Sequence, residues 1–342
     1  MSEMDGNGKD ARLAEVGAWL AGLAGEYGLE LESLRPASAD ASFRRYFRVA
    51  ARGGRTLIVM DAPPPQEDIR SFLKVDGLMR EAGLNAPEVY ASDAARGFIL
   101  MSDLGTQTYL DVLDEDNAAR LMDAATTALV RWQAASREGV LPPYDAAALR
   151  RELDLFPQWY VLRHRGYMMT PGQLEAVNGV FEKLVARSLA QPRVFVHRDF
   201  MPRNLMVSDP MPGIIDFQDA LMGPVSYDIM SLRRDAFVSG GEAFVLDVTI
   251  RYWEKSRKAG IPVPADFAGF WQDVEWMGMQ RHLKVLGIFA RINYRDGKPK
   301  YLADTPRFIH YVRQCAGRYG ELRPINWLLD QFEEAKSKEA FY

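Results

Sequence analysis

From Arg12 to Tyr27, apolar side chains recur at Leu13, Val16, Leu20, Leu23 and Tyr27, alternating steps of three and four that mark one face of an amphipathic helix. The spacing then changes. Phe43 to Ala50 and Thr56 to Met60 are rich in aromatic and branched residues and flank Ala51-Arg52-Gly53-Gly54-Arg55, which predicts a β-hairpin. Pro63-Pro64-Pro65 ends the second strand, Gln66 to Glu81 returns to helical spacing before Gly83, and Glu88 to Ala91 and Phe98 to Met101 read as two more strands. This mixed lobe closes near Asp103-Leu104-Gly105. Helical patterns dominate afterwards: Asn117 to Ala135, Ala147 to His164, Pro171 to Leu189, Val225 to Phe237, Gly241 to Lys258, Asp266 to Ile292 and Ile325 to Lys336. The order describes an α+β chain with a mixed lobe over 1–104 and a mostly helical lobe over 105–342.

One region breaks the helical run. Val194-Phe195-Val196 is a short buried strand that delivers His197-Arg198-Asp199 to a loop, and Leu205-Met206-Val207 leaves it. After the turn Ser208 to Gly213, Ile214-Ile215 runs back and ends at Asp216, twelve residues beyond Asn204. Phosphoryl transfer from ATP needs a group that orients the attacking hydroxyl and hard oxygen ligands that hold Mg2+ against phosphate charge. Asp199 fits the role of proton acceptor, Asn204 offers a neutral amide oxygen to a metal, and Asp216 bridges metal and phosphates. His197 braces the loop. Lone aspartates in loops usually cap turns, but this set at this spacing selects a kinase.

Composition narrows the class. The 342 residues include one cysteine, Cys315, which excludes an intrachain disulfide and a cysteine-based zinc site. Four scattered histidines form no metal cluster, and the polar start has no apolar signal region. No apolar run approaches a membrane span, so the expectation is a soluble, cytoplasmic protein. A net charge of -4 gives nucleic acid no basic face, which leaves a small molecule as the expected partner.

The chain resembles the aminoglycoside and choline kinase group, whose members share a two-lobed, protein-kinase-like (aminoglycoside phosphotransferase-like) fold. More narrowly, Ala41 to Arg48, Val59-Met60-Asp61-Ala62-Pro63-Pro64 and Gln280 to Gly287 resemble the bacterial N-acetylmuramate/N-acetylglucosamine kinases, which phosphorylate the anomeric hydroxyl in peptidoglycan recycling. The resemblance implies ATP and Mg2+, with Asp199 as base, Asn204 and Asp216 as metal ligands, and Phe98 to Ser102 as the strand beside adenine. Backbone groups near Met101 and Ser102 would read the base. The turn Ser38 to Ser42 takes the place of the phosphate-covering loop, with Ser42 at its end. The chain departs from the group at Leu57 to Asp61, where the phosphate-binding lysine that pairs with a helix glutamate is missing. Arg44, Arg45 and Arg48 on the preceding strand are the candidates to replace it.

On the acceptor side, Arg151 to Tyr160 supplies polar and aromatic groups at helical spacing, with Glu152 and Trp159 seven apart on one predicted face. Arg281 and Lys284 offer charge-assisted hydrogen bonds to the lactyl carboxylate of a muramate. The leading expectation is an ATP-dependent amino-sugar 1-kinase. An aminoglycoside, choline or homoserine-like kinase and a nucleotide-binding pseudokinase stay open, the last because of the missing lysine.

Overall fold

A computed structural model describes residues 4–38, 43–234 and 241–339, with side chains over 11–37, 43–234 and 241–332. The chain divides into two compact units, Met1–Thr108 with Leu205–Asp219, and Tyr109–Asn204 with Ala220–Tyr342.

In the smaller unit, α1 (Met4–Tyr27) leads into β1 (Leu29–Ser38), β2 (Arg45–Ala51), β3 (Arg55–Asp61), α2 (Ile69–Glu81), β4 (Val89–Asp93) and β5 (Phe98–Ser102). The five strands form an antiparallel sheet in the order β1-β2-β3-β5-β4. Strand alternation sends Val49, Val59, Phe98 and Leu100 to one face, where they bury against Val16 and Leu20 of α1. The start of α2 is later than the helical spacing predicts because Asp68 caps it, its side chain accepting the Arg70 N–H at 3.0 Å. Gly97 turns the chain between β4 and β5 at φ 73°, and a Cβ there would lie 1.9 Å from the Ala62 carbonyl oxygen. The sequence reading stopped this lobe at 104. The segment Leu205–Asp219 nevertheless clusters with it, because its Ile214 N–H donates to the Asn85 carbonyl at 2.8 Å and its Val207 N–H to that of Gln107 at 2.9 Å.

The larger unit begins with the short α3 (Tyr109–Val112), α4 (Ala118–Ala134) and α5 (Ala146–Leu153), followed by a wide π-type helix over Phe156–His164 and α6 (Pro171–Ala190). Sequence spacing reads Ala147 to His164 as one helix. It breaks because Pro157 cannot donate to the α-helical ladder. Strand β6 (Arg193–Val196) pairs antiparallel with β9 (Leu221–Pro224), while β7 (Leu205–Met206) and β8 (Gly213–Ile214) form the small hairpin of the other unit. Helices α7 (Tyr227–Arg233), α8 (Glu242–Lys258), α9 (Phe267–Asp296), α10 (Thr305–Arg318) and α11 (Arg323–Glu339) complete the unit. The part of the expected Val225 to Phe237 helix beyond Arg234 lies outside the described residues. Leu283 and Leu286 of α9 sit in a core with Phe181, Phe308, Val312 and Ile325 from three other helices. Among the described residues, no helix is long and apolar enough to cross a membrane.

Gly287 lets α9 press directly on the turn after α5. A Cβ there would stand 2.4 Å from the Leu155 carbonyl carbon, so overpacking must displace backbone rather than a pliable side chain. Gly287→Ala is expected to destabilise the protein by about 1–3 kcal/mol. The urea midpoint measures it, and an unchanged midpoint would show that the helices separate without cost.

Candidate active site

Strand β6 is apolar and buried, so the polar triplet that follows must leave the core, and the chain turns into a loop at His197. The fully buried Asp228, in the first turn of α7, holds that loop from beneath. Its carboxylate accepts the His197 N–H at 2.7 Å and the Arg198 N–H at 3.0 Å. Burial pushes the Asp228 carboxyl up to about 7, against the opposing pull of these two N–H groups. His197 is buried too, edge-on to Phe200 with ring centroids 5.6 Å apart, and its Nδ1 accepts the Asp199 N–H at 3.3 Å. It braces the loop. Asn204 donates an amide N–H to the Asp199 carbonyl at 2.9 Å.

Arg198 has φ 78° and Asp216 φ 63°, the positive-φ non-glycine residues among those described. Such backbone is unfavourable for side chains with a Cβ and collects at functional loops. Asp199 and Asn204 belong to the larger unit and Asp216 to the smaller.

Asp199 is 43% exposed at its side chain, and Arg281 Nη2 reaches its Oδ1 at 3.3 Å. Its chain neighbour Arg198 lines a cavity of about 640 Å³, together with Arg151, Glu152 and Gln158 and, from α9, Lys284, Ile288 and Arg291. Its size falls within the roughly 300–1,000 Å³ of small-molecule sites. Glu152 anchors the wall. It accepts from Arg198 Nη2 at 2.8 Å, Lys284 Nζ at 2.9 Å and Gln280 Nε2 at 3.2 Å, and from the Tyr144 hydroxyl. Burial opposes the Glu152 charge, but Lys284 and Arg198 outweigh it and hold its pKa below the ordinary glutamate value.

The structure rearranges the acceptor residues expected from spacing. Arg281 and Lys284 are not on a solvated face: their side chains are 5% and 11% exposed and pair with Asp199 and Glu152. Trp159 does not share the Glu152 face. The break at Leu153 and the wider turn of the π-type helix send it against the hydrophobic core, and its neighbour Gln158 lines the cavity. Tyr144 carried no signal in sequence, since its partners are remote along the chain; Asp228 is legible as a structural carboxylate near a helix start, but the N–H groups it accepts belong to the distant His197 loop. Arg291 carried a signal, seven residues after Lys284.

In the smaller unit the three β2-side arginines separate. Arg45 pairs with the buried Asp61, which also holds Arg12 at 2.7 Å. Arg48 is held by Asp103, its Nη2 2.9 Å from Oδ1. Arg44, just before β2, donates to Glu67 at 3.0 Å, and its Nη1 lies 3.9 Å from Asp216 Oδ1. Burial works against the Arg44 charge, but Tyr46 and Glu67 sustain it and raise its pKa. A second cavity, about 130 Å³, is lined by Arg44, Glu67, Gln218 and Asp219. Met101 pairs with Ile58 and Val89 across the sheet, and the Ser102 hydroxyl accepts the Glu88 N–H at 2.8 Å. Ser42 lies outside the described residues.

Taken singly, Asn204 has an amide oxygen and Asp216 a carboxylate, donors of the kind that a hard divalent cation takes. Among the described residues no three His, Cys, Asp or Glu side chains gather into a self-sufficient metal site.

Residues 33–268 match the phosphotransferase enzyme family. An N-acetylmuramate/N-acetylglucosamine kinase of Pseudomonas aeruginosa is 52% identical over 327 residues, covering 94% of this chain and 96% of that one. One from Neisseria meningitidis is 48% identical, covering 86% and 88%. A choline kinase structure from Streptococcus pneumoniae superposes with a TM-score of 0.61 at 14% identity, covering 87% of this chain and 97% of that one, and shows the shared two-lobed kinase-like α+β fold. With the His197 to Asn204 loop and Asp216 on the same stretch, the chain belongs to the phosphotransferase enzyme family, in the group of the N-acetylmuramate/N-acetylglucosamine kinases.

Proposed function

We infer that this protein transfers the γ-phosphoryl group of ATP, with Mg2+, to the anomeric hydroxyl of N-acetylmuramate and N-acetylglucosamine in peptidoglycan recycling. The observation that carries the acceptor class is the lining of the larger cavity. Arg151, Arg198, Lys284 and Arg291 face it against only Glu152 and Asp154. Glu152 is neutralised by Arg198 and Lys284, and Asp154 by Arg150 at 2.8 Å. A wall of that sign favours a neutral or anionic acceptor and repels aminoglycosides and choline.

In the reaction, Asp199 accepts the hydrogen bond of the acceptor O1–H and takes its proton as O1 forms a bond to the γ-phosphorus and the bond to the ADP oxygen breaks. An anomeric hydroxyl is more acidic than an ordinary alcohol, so one carboxylate is enough. Arg281 fixes the orientation of Asp199, and Asp228 fixes the loop. Mg2+ held by Asn204 and Asp216 would neutralise the phosphate charge. Arg44, with Glu67 as its partner, stands in for the lysine–glutamate pair that phosphate binding in this fold employs, because it is the β2-side arginine that faces Asp216.

ADP release with N-acetylmuramate, N-acetylglucosamine, choline and kanamycin tests the assignment, with phosphorus NMR of the product. A sugar 1-phosphate doublet is expected, and turnover confined to choline or kanamycin would overturn the acceptor. Asp199→Asn should lower kcat by about 10²- to 10⁴-fold while ATP still binds. Arg44→Ala should raise the KM for ATP several-fold, with Lys restoring part of it; an unchanged KM would remove Arg44 from the phosphate site. Because the Glu152 pKa is depressed on folding, its ion pairs stabilise fully above the ordinary value of 4.5 and are lost as pH falls through the folded value. The urea midpoints of wild type and Glu152→Gln should therefore converge as pH drops from 7 toward 3, whereas a constant gap would mean that charge is not what Glu152 contributes.

A further inference from the structure

The acceptor cavity contains a cation that the network around Glu152 does not neutralise. Arg281, Lys284, Ile288 and Arg291 follow one another on α9 at steps of three, four and three, so they form one stripe along the helix. Arg281 is held by Asp199 and Lys284 by Glu152. Arg291 differs. Its Nε is buried without a hydrogen-bond partner, and among the described residues neither Arg291 nor Arg151, across the cavity, makes an ion pair. The carboxylates nearby are already committed: Asp154 to Arg150 and Asp296 to Arg295, the latter pair at 2.6 Å.

We propose that Arg291, seconded by Arg151, is the subsite for a carboxylate carried by the acceptor at the end remote from the transferred phosphoryl group. It rests on the amino-sugar kinase reading above. N-acetylmuramate differs from N-acetylglucosamine by a lactyl ether at O3, two ring carbons from the C1 whose hydroxyl Asp199 serves, and the ether carries its carboxylate outward from the ring. Ten residue steps along α9, about 15 Å of rise, separate Arg291 from Arg281, the residue that pairs with Asp199. A guanidinium whose Nε has lost water without gaining a partner is primed for an anion, and a planar carboxylate fits its fork. Burial, reinforced by Arg295, lowers the Arg291 pKa despite the opposing Asp296, the electrostatic mark of an under-compensated cation.

The subsite replaces the earlier expectation that Arg281 and Lys284 read the lactyl group, and it gives the cavity a way to prefer the muramate. The test compares N-acetylmuramate with its lactyl methyl ester, which keeps the shape and removes the charge, as acceptors for wild type, Arg291→Gln and Arg291→Lys. The ratio of kcat/KM for acid over ester should fall by roughly 10- to 100-fold in Arg291→Gln and recover partly in Arg291→Lys. Arg151→Gln should lower it less. Equal ratios in wild type and Arg291→Gln would overturn the subsite, since an arginine that only packs the cavity would affect both acceptors alike. Wild-type turnover of neither sugar nor ester would instead overturn the sugar-kinase reading itself, so the two failures are told apart by the wild-type column alone.

Discussion

The buried carboxylate of Glu152 ties the catalytic loop to the long helix α9. It receives Arg198 from that loop, Gln280 and Lys284 from α9, and Tyr144 from before α5. A charge this deep persists only because its partners surround it, and removing one member would strand others at a cost of about 3–5 kcal/mol. The constraint works in two directions. It stations Arg198 beside Asp199, and it holds α5 and α9 as two walls with an acceptor-sized space between them.

Asp228 does for the backbone what Glu152 does for side chains. By accepting the N–H groups of His197 and Arg198 it pays the strain of a loop in which Arg198 takes φ 78°. Asp199 is thereby left with a half-exposed carboxylate on a loop held by buried hydrogen bonds, which is what the proposed role of a base asks of it. In the smaller unit, pairing sorts three similar arginines into different tasks. Arg45 and Arg48 are tied to Asp61 and Asp103, and Arg44 faces both Glu67 and Asp216.

Much of the fold was legible because the patterns were local. The hairpin around Gly53-Gly54, the helix before Gly83 and the strands that bracket His197 and Asp216 are written in periodicity and turn residues a few positions apart. Strand β1 was not, because Pro36 and the bulges in its pairing with β2 blur its alternation. The π-type helix was missed because Pro157 can either enter or break a helix, and packing against Gly287 takes part in the outcome. That single misreading displaced Trp159 from the acceptor side.

By itself the sequence determined the chemistry: His197, Asp199, Asn204 and Asp216 lie close along the chain, and a motif of that spacing reports a reaction class without three-dimensional help. Tertiary structure alone decided which cations are neutralised and which remain available. Arg281, Lys284 and Arg291 are alike as letters on one helix. They part company because carboxylates from distant segments pair with the first two and leave the third without one, and electrostatics depends on distance in space rather than on distance along the chain.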